Sequence, residues 1–261
     1  MNVWAIAVNT FREAVRDKIL YVLAVFGLIL IFVSRAVGWI SYGGELKIMT
    51  DLGLAAIWLF VALISIFIGT QMIYKEIDKR TLYTILSRPI RRWEFLLGKY
   101  CGLLLTSLVI LAALSAVFLA YLKLMGAPVT GAILQALFLI FCEMMLVTAL
   151  AIFFSSASTP VLSAVFTFMI FGVGQLTKWI VDLGNLIQDQ APGMKLALKL
   201  FYFLMPNLDN FNVRAQAVHA AARGSGWAIP PEQMLSIVVY GGAYTAAVLL
   251  AAALVFRRRN F

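Results

Sequence analysis

Residues 124–177 read LMGAPVTGAILQALFLIFCEMMLVTALAIFFSSASTPVLSAVFTFMIFGVGQLT, and the only charged side chain among them is Glu143. Crossing about 30 Å of hydrocarbon takes roughly 20 helical residues. The stretch is therefore long enough for two crossings. SSASTP (155–160) supplies the interruption, because clustered Ser, Thr and Pro break a helical run. The reading is two membrane helices, near 131–154 and 160–179, joined by a tight turn. In lipid each backbone group must pair within its own segment, so runs of this length are helices, and the alternating strands of a barrel are not seen.

Working outward from that stretch, similar runs recur. Residues 19–40 form a first span, 52–74 a second, 100–122 a third and 233–256 a sixth. Composition agrees: 63% of the 261 residues are hydrophobic and 13% are charged, where a soluble domain carries about 25% charged residues. The expected fold is an all-α integral membrane protein with six transmembrane helices in one domain, 19–261. Both termini then lie on one side. If that side is cytoplasmic, the inner segments hold 13 of the 21 Lys and Arg, seven of them in the 75–99 loop. The positive-inside rule favours this orientation. The net charge of +9 sits at the ends of apolar runs, which suits topology and lipid headgroups and argues against a nucleic-acid partner.

Residues 1–18 read as an amphipathic helix. Trp4, Val8, Phe11, Val15 and Ile19 recur at helical spacing, with Arg12, Glu13, Arg16 and Asp17 on another face. The helix either lies on the inner membrane surface or extends the first span into the cytoplasm. No cleavable signal peptide is evident. The long outer segment 178–233 holds MKLALKLFYFLM (194–205), too short to span, which lies at the interface or dips back into the protein. PNLDNFN (206–212) reads as a turn and 213–222 as a short helix. No internal repeat is seen.

The 75–99 loop carries Lys75, Lys79, Arg80, Arg88, Arg91, Arg92 and Lys99, with Leu82, Ile85 and Leu86 close to one helical face. Pro89 disfavours helix at Arg88, so the pattern is a helix over 76–86, a break at 87–89, and a new helix from Ile90 into the third span. One reading is a positive-inside anchor. The other is a docking element, since an isolated helix this short needs something to pack against.

Glu143 is the one acid in the middle of a span. Its charge costs ~2.5–3.5 kcal/mol, and the apolar residues around it return about 4–8 kcal/mol, so the span still inserts. It either lines a path or binds a cation, or it is protonated or hydrogen-bonded to a neighbouring helix through Gln175 or Thr148. Gln175, in FGVGQ (171–175), is the other polar candidate for a path. The Gly98 to Gly102 spacing is a helix-contact signal. His219 reads as solvent-facing. No metal spacing exists, Cys101 and Cys142 lie in apolar runs, and no span holds a histidine for a nucleophile–base pair, so no catalytic residue is assigned.

Glu76, Thr81-Leu82, Ile85-Leu86-Ser87, Pro89, Arg92 and Leu97-Gly98-Lys99 together resemble the loop between the second and third spans of ABC-2 type permeases. The resemblance is closest to the branch containing the permease of the nitrous-oxide reductase maturation system. FFSSASTPVLSA (153–164) is similar to that branch's Ser-rich turn, and FYFLMPNLDNFNVR (201–214) to its Pro-Asn-Leu segment. Arg80 and Tyr83 stand where many members have Gly and Glu. The resemblance implies the transmembrane subunit of an ATP-binding-cassette exporter in a bacterial cytoplasmic membrane. Residues 76–89 would be the coupling helix contacting a separate ATPase subunit. Two such subunits, binding ATP and Mg, would pair with two membrane subunits, the second being a copy or a related permease. A periplasmic accessory protein is a further candidate partner. The sequence itself has no GxxxxGK loop: Trp93 stands where Gly98-Lys99 would need its earlier glycine, so ATP hydrolysis is expected elsewhere. Alternatives are a membrane scaffold that recruits a cytoplasmic protein, or an ion-coupled carrier centred on Glu143.

Overall fold

The computed structural model describes residues 3–40, 44–78, 92–186, 202, 205–223 and 226–258. Among these residues every regular element is helical. In chain order they are α1 (Val3–Val15), α2 (Lys18–Ile40), α3 (Glu45–Asp78), α4 (Arg92–Leu124), α5 (Gly131–Ala157), α6 (Pro160–Gln175), α7 (Thr177–Leu186), a 3-10 turn (Leu208–Phe211), α8 (Arg214–Ala222) and α9 (Pro231–Arg258). Five of them, α2, α3, α4, α5 and α9, are long and apolar enough to cross a membrane.

The most apolar 18-residue windows of α5 and α3 are 72% and 67% buried, against 22% for α2 and 17% for α9. The bundle is thus built around α3 and α5, with α2 and α9 turned outward. Small residues permit the close approach that lipid-embedded helices need, because lipid supplies no hydrophobic force between them. A Cβ on Gly69 would sit 2.9 Å from Ala151 Cβ, and one on Gly53 would overlap the Phe118 ring. Hydroxyls add short cross-links: Ser155 Oγ donates to the Thr70 carbonyl at 2.8 Å, and the Ser65 and Ser107 hydroxyls pair at 3.0 Å.

Chain reversals follow local chemistry. Gly126, at φ +75°, ends α4 with Ala127 N–H reaching the Leu122 carbonyl at 2.9 Å, a Schellman closure. Pro160 opens α6 as its first residue, where a missing N–H costs nothing. Asp17 accepts from Ile19 N–H at 3.1 Å and starts α2.

Helix ends run further than the apolar runs predict. The second span, expected over 52–74, extends over Glu45–Asp78, and the third, expected over 100–122, over Arg92–Leu124. A helix needs only backbone pairing to continue past the hydrocarbon, so polar residues cap the apolar core at both ends. The expected helix over 76–86 therefore does not begin apart from the span, because 76–78 belong to α3. The new helix is described from Arg92 onward, and Ile90 lies outside the described residues.

The crossing expected over 160–179 differs more. α6 stops at Gln175, α7 restarts at Thr177, and the 16 residues of α6 rise only about 24 Å. Pro206 and Leu208 lie against its last turn: a Cβ on Gly174 would meet Leu208 Cγ at 2.8 Å and the Pro206 carbonyl oxygen at 2.9 Å. The returning outer segment packs where a side chain on Gly174 would stand.

α1 packs along α4. The residues it buries are Ile6, Ala7, Thr10 and Ala14, not the Trp4 face, and Trp4 is 70% exposed. Gly98 and Gly102 explain the choice. Their missing Cβ atoms would lie 2.7 Å from Ile6 Cβ and 2.5 Å from the Ala7 carbonyl oxygen. The bulkier stripe is left on an outer surface, separate from the charged stripe. Phe95 stacks on Phe256 with ring centroids 6.2 Å apart. The start of α4, the end of α9 and α1 therefore share one end of the bundle.

Candidate functional site

Two regions carry the sequence-predicted residues. Of the loop set, Thr81, Leu82, Ile85, Leu86, Ser87 and Pro89 lie outside the described residues. Glu76 is in the last turns of α3 and Arg92 is the first residue of α4, but their side chains also lie outside the described set. What is described is the frame on either side. Lys99, 1% exposed, places its ammonium 3.6 Å from Glu13 of α1 and 5.9 Å from the Phe95 ring centroid. A buried cation at this position holds α1 against the helix that leaves the loop.

The second region is the polar centre around Glu143. At 1.5 Å per residue Glu143 lies about 18 Å along α5 from Gly131, and Trp58 about 20 Å along α3 from Glu45, so the two share a depth. Glu143 is fully buried. Trp58 Nε1–H donates to its Oε2 at 2.9 Å, and the Gln175 side-chain amide donates to its Oε1. Thr148 does not take part; its hydroxyl donates to the Met144 carbonyl at 2.7 Å. Both predicted path residues, Glu143 and Gln175, are thus brought into direct contact.

The countercharge comes from the outer segment. Arg214 begins α8, and its guanidinium lies 4.0 Å over the Trp58 ring, in the cation–π range. The other side of the indole is packed by Phe171, with centroids 5.2 Å apart. Arg214 Nε–H donates to Asn212 Oδ1 at 2.9 Å, which aims the guanidinium into the bundle. Glu143, Asp51 and Asp209 are the acids whose charges act on it. Asp209 in turn pairs with Lys178 of α7.

Chemically the centre satisfies a buried carboxyl group. Its donors converge on both carboxylate oxygens of Glu143, and an arginine sits behind the indole. Among the described residues, no three His, Cys, Asp or Glu side chains are placed to hold a metal ion.

Trp58 and Arg214 were not among the predicted site residues. Each left a trace in the sequence. An indole N–H at mid-span needs an acceptor, and Glu143 is the acid at span depth. Arg214 follows the apolar-flanked PNLDNFNV at the head of a short helix. Nothing in the linear order says that residue 214 returns to the depth of residue 58. His219 is exposed on α8, as its alanine surroundings predict.

No curated protein matches the chain. The sequence model of the family described as ABC-2 family transporter protein matches residues 4–261, so it takes in α1, all the long apolar helices and the outer segment alike. With a match over nearly its whole length and a multi-pass helical bundle to go with it, the chain belongs to the ABC-2 family of transporter proteins.

Proposed function

We propose that the chain is the permease subunit of an ATP-driven exporter in a bacterial cytoplasmic membrane, working beside a separate cassette ATPase. The observation that carries this reading is the family match over residues 4–261. ATP and Mg would bind on the partner, and two ATPase copies would serve two membrane subunits. The loop and turn motifs at 76–99, 153–164 and 201–214 support placement in the branch of the nitrous-oxide reductase maturation permease. In this reading α6 and α7 together make a sixth crossing, so both termini share a side with the 75–99 loop, and the positive-inside rule makes that side cytoplasmic.

In this reading Leu82, Ile85 and Leu86 enter a cleft of the ATPase, while Glu76, Thr81, Ser87, Pro89 and Arg92 shape and flank the knob. The loop joins α3 directly to α4, and α4 carries α1 through Gly98, Gly102 and Lys99. A push on the loop is therefore delivered to α3, α4 and α1 together. The donors around Glu143 argue against a cation-coupled carrier, because the carboxylate already has its partners.

The test is co-purification of the chain with the cassette ATPase encoded beside it, followed by ATPase assay in proteoliposomes. Leu82→Arg with Leu86→Arg is expected to break the complex or release hydrolysis from control by the membrane subunit. A complex unaffected by that double substitution, or no associated ATPase at all, would overturn the reading.

A further inference from the structure

Residues 206–222 enter the bundle from the outer side. Leu208 and Phe211 are 0% and 1% exposed, and each fills a notch left by a glycine. Leu208 lies on Gly174 of α6. A Cβ on Gly241 of α9 would come 2.7 Å from Phe211 Cζ. Asn207 N–H donates to the Tyr240 hydroxyl at 2.9 Å. Non-helical backbone at membrane depth is tolerated only where protein or a water-filled cavity surrounds it, and here α6 and α9 provide that surround.

Apolar knobs alone do not hold such a segment firmly, since lipid is as apolar as Leu and Phe. The stronger contacts are polar: the Arg214 guanidinium over the ring of Trp58, whose N–H donates to Glu143, and the Asp209 pair with Lys178. The second pair is at the surface, with Lys178 60% exposed, and is worth little. The first runs inward to Glu143, which is fully buried. Trp58 connects the two charges, with its N–H on the carboxylate and its face on the guanidinium.

We propose that residues 206–222 are a removable plug in the outer half of the bundle, and that Glu143 is the latch that holds it there through Trp58 and Arg214. Glu143 then acts as a positioning residue, and need not touch a transported solute. Gln175, on the other carboxylate oxygen, ties the latch to the end of α6, where Leu208 sits. A displacement of α3 or α6 of about 1 Å or more, delivered from the loop, would carry the Trp58 N–H out of hydrogen-bond reach of Glu143 and free Arg214. This mechanism rests on the permease reading for its driving force; the latch itself does not.

The test uses Leu208→Cys in a background with Cys101→Ser and Cys142→Ala, labelled from the outer side with a membrane-impermeant maleimide. In the resting protein the thiol is expected to be protected. Glu143→Gln and Arg214→Gln should each raise labelling about tenfold, the change in open fraction that follows loss of a charge-assisted contact. Arg214→Lys, which keeps a cation over the indole, should restore protection relative to Arg214→Gln, which a merely structural defect would not show. Adding ATP to the permease–ATPase complex should raise labelling in the parent. Labelling of Glu143→Gln and Arg214→Gln at the parent rate would overturn the latch. If both variants open but ATP changes nothing in a complex that hydrolyses it, nucleotide-driven release is refuted while the permease reading stands. If no ATPase associates, the permease reading fails and the variants still decide the latch.

Discussion

Trp58 shows how one side chain can serve two charges. Its ring fills space between Phe171 and Arg214, and its N–H is one of the two donors that let Glu143 stay buried. These roles separate by substitution. Trp58→Phe keeps most of the ring but leaves one carboxylate oxygen unsatisfied, and should cost about 1–3 kcal/mol. Trp58→Ala also empties the ring site and should cost about 3–5 kcal/mol. Thermal unfolding in detergent, followed by size-exclusion chromatography, reads both. Glu143→Gln behaves differently. The Gln175 amide can flip so that its oxygen accepts from the new amide, leaving Arg214 as the group without its counter-ion. Pairing Glu143→Gln with Arg214→Gln should therefore recover part of the loss, with a coupling of about 0.5–3 kcal/mol in a double-mutant cycle. Additive losses would show that the two charges do not act on each other.

Among the elements, α1 shows what periodicity leaves out. Its apolar stripe marks one side, but Ile6, Ala7, Thr10 and Ala14 make the protein contact, because that side lets the helix sit on Gly98 and Gly102. Small residues are weak in any hydrophobic pattern and strong in close packing, so the pattern does not show which side meets the protein. Gly102→Val should dislodge α1, since a Cβ there meets the Ala7 backbone oxygen at 2.5 Å, and backbone cannot swing aside. Faster trypsin cleavage at Arg12 and Arg16 in membranes would report the release; unchanged cleavage would refute the contact. A second lesson concerns α6. Composition alone makes 160–179 a plain span, yet the helix is interrupted at Leu176, and Pro206 and Leu208 pack against its last turn at Gly174. Gly126→Ala tests a purely local element. Forcing an L side chain to φ +75° should cost about 1–2 kcal/mol, read as a lower melting temperature with no change in labelling at Leu208→Cys.

At the scale of the molecule, α1, the start of α4 and the end of α9 share one end of the bundle, and the polar centre lies about 18 Å along α5 from its first residue at the other end. A permease of this kind needs that separation, with an input at one end and a closure at the other. Reporter fusions at Met1 and Phe261 are expected to report the same compartment, opposite to a reporter inserted at His219; opposite compartments for the two termini would sink the even number of crossings. By itself the amino-acid sequence determined the membrane class, the long apolar helices, the turn at 155–160 and the isolation of Glu143, because hydrophobicity and run length act on near neighbours in the chain. Only the tertiary structure decided what Glu143 holds, which stripe of α1 is covered and where α6 ends. Those outcomes depend on residues far apart in sequence meeting at one depth: Trp58 with Arg214, Gly174 with Leu208, and Gly102 with Ala7. Such meetings are set by shape and charge complementarity between whole helices, and a linear pattern carries no record of them.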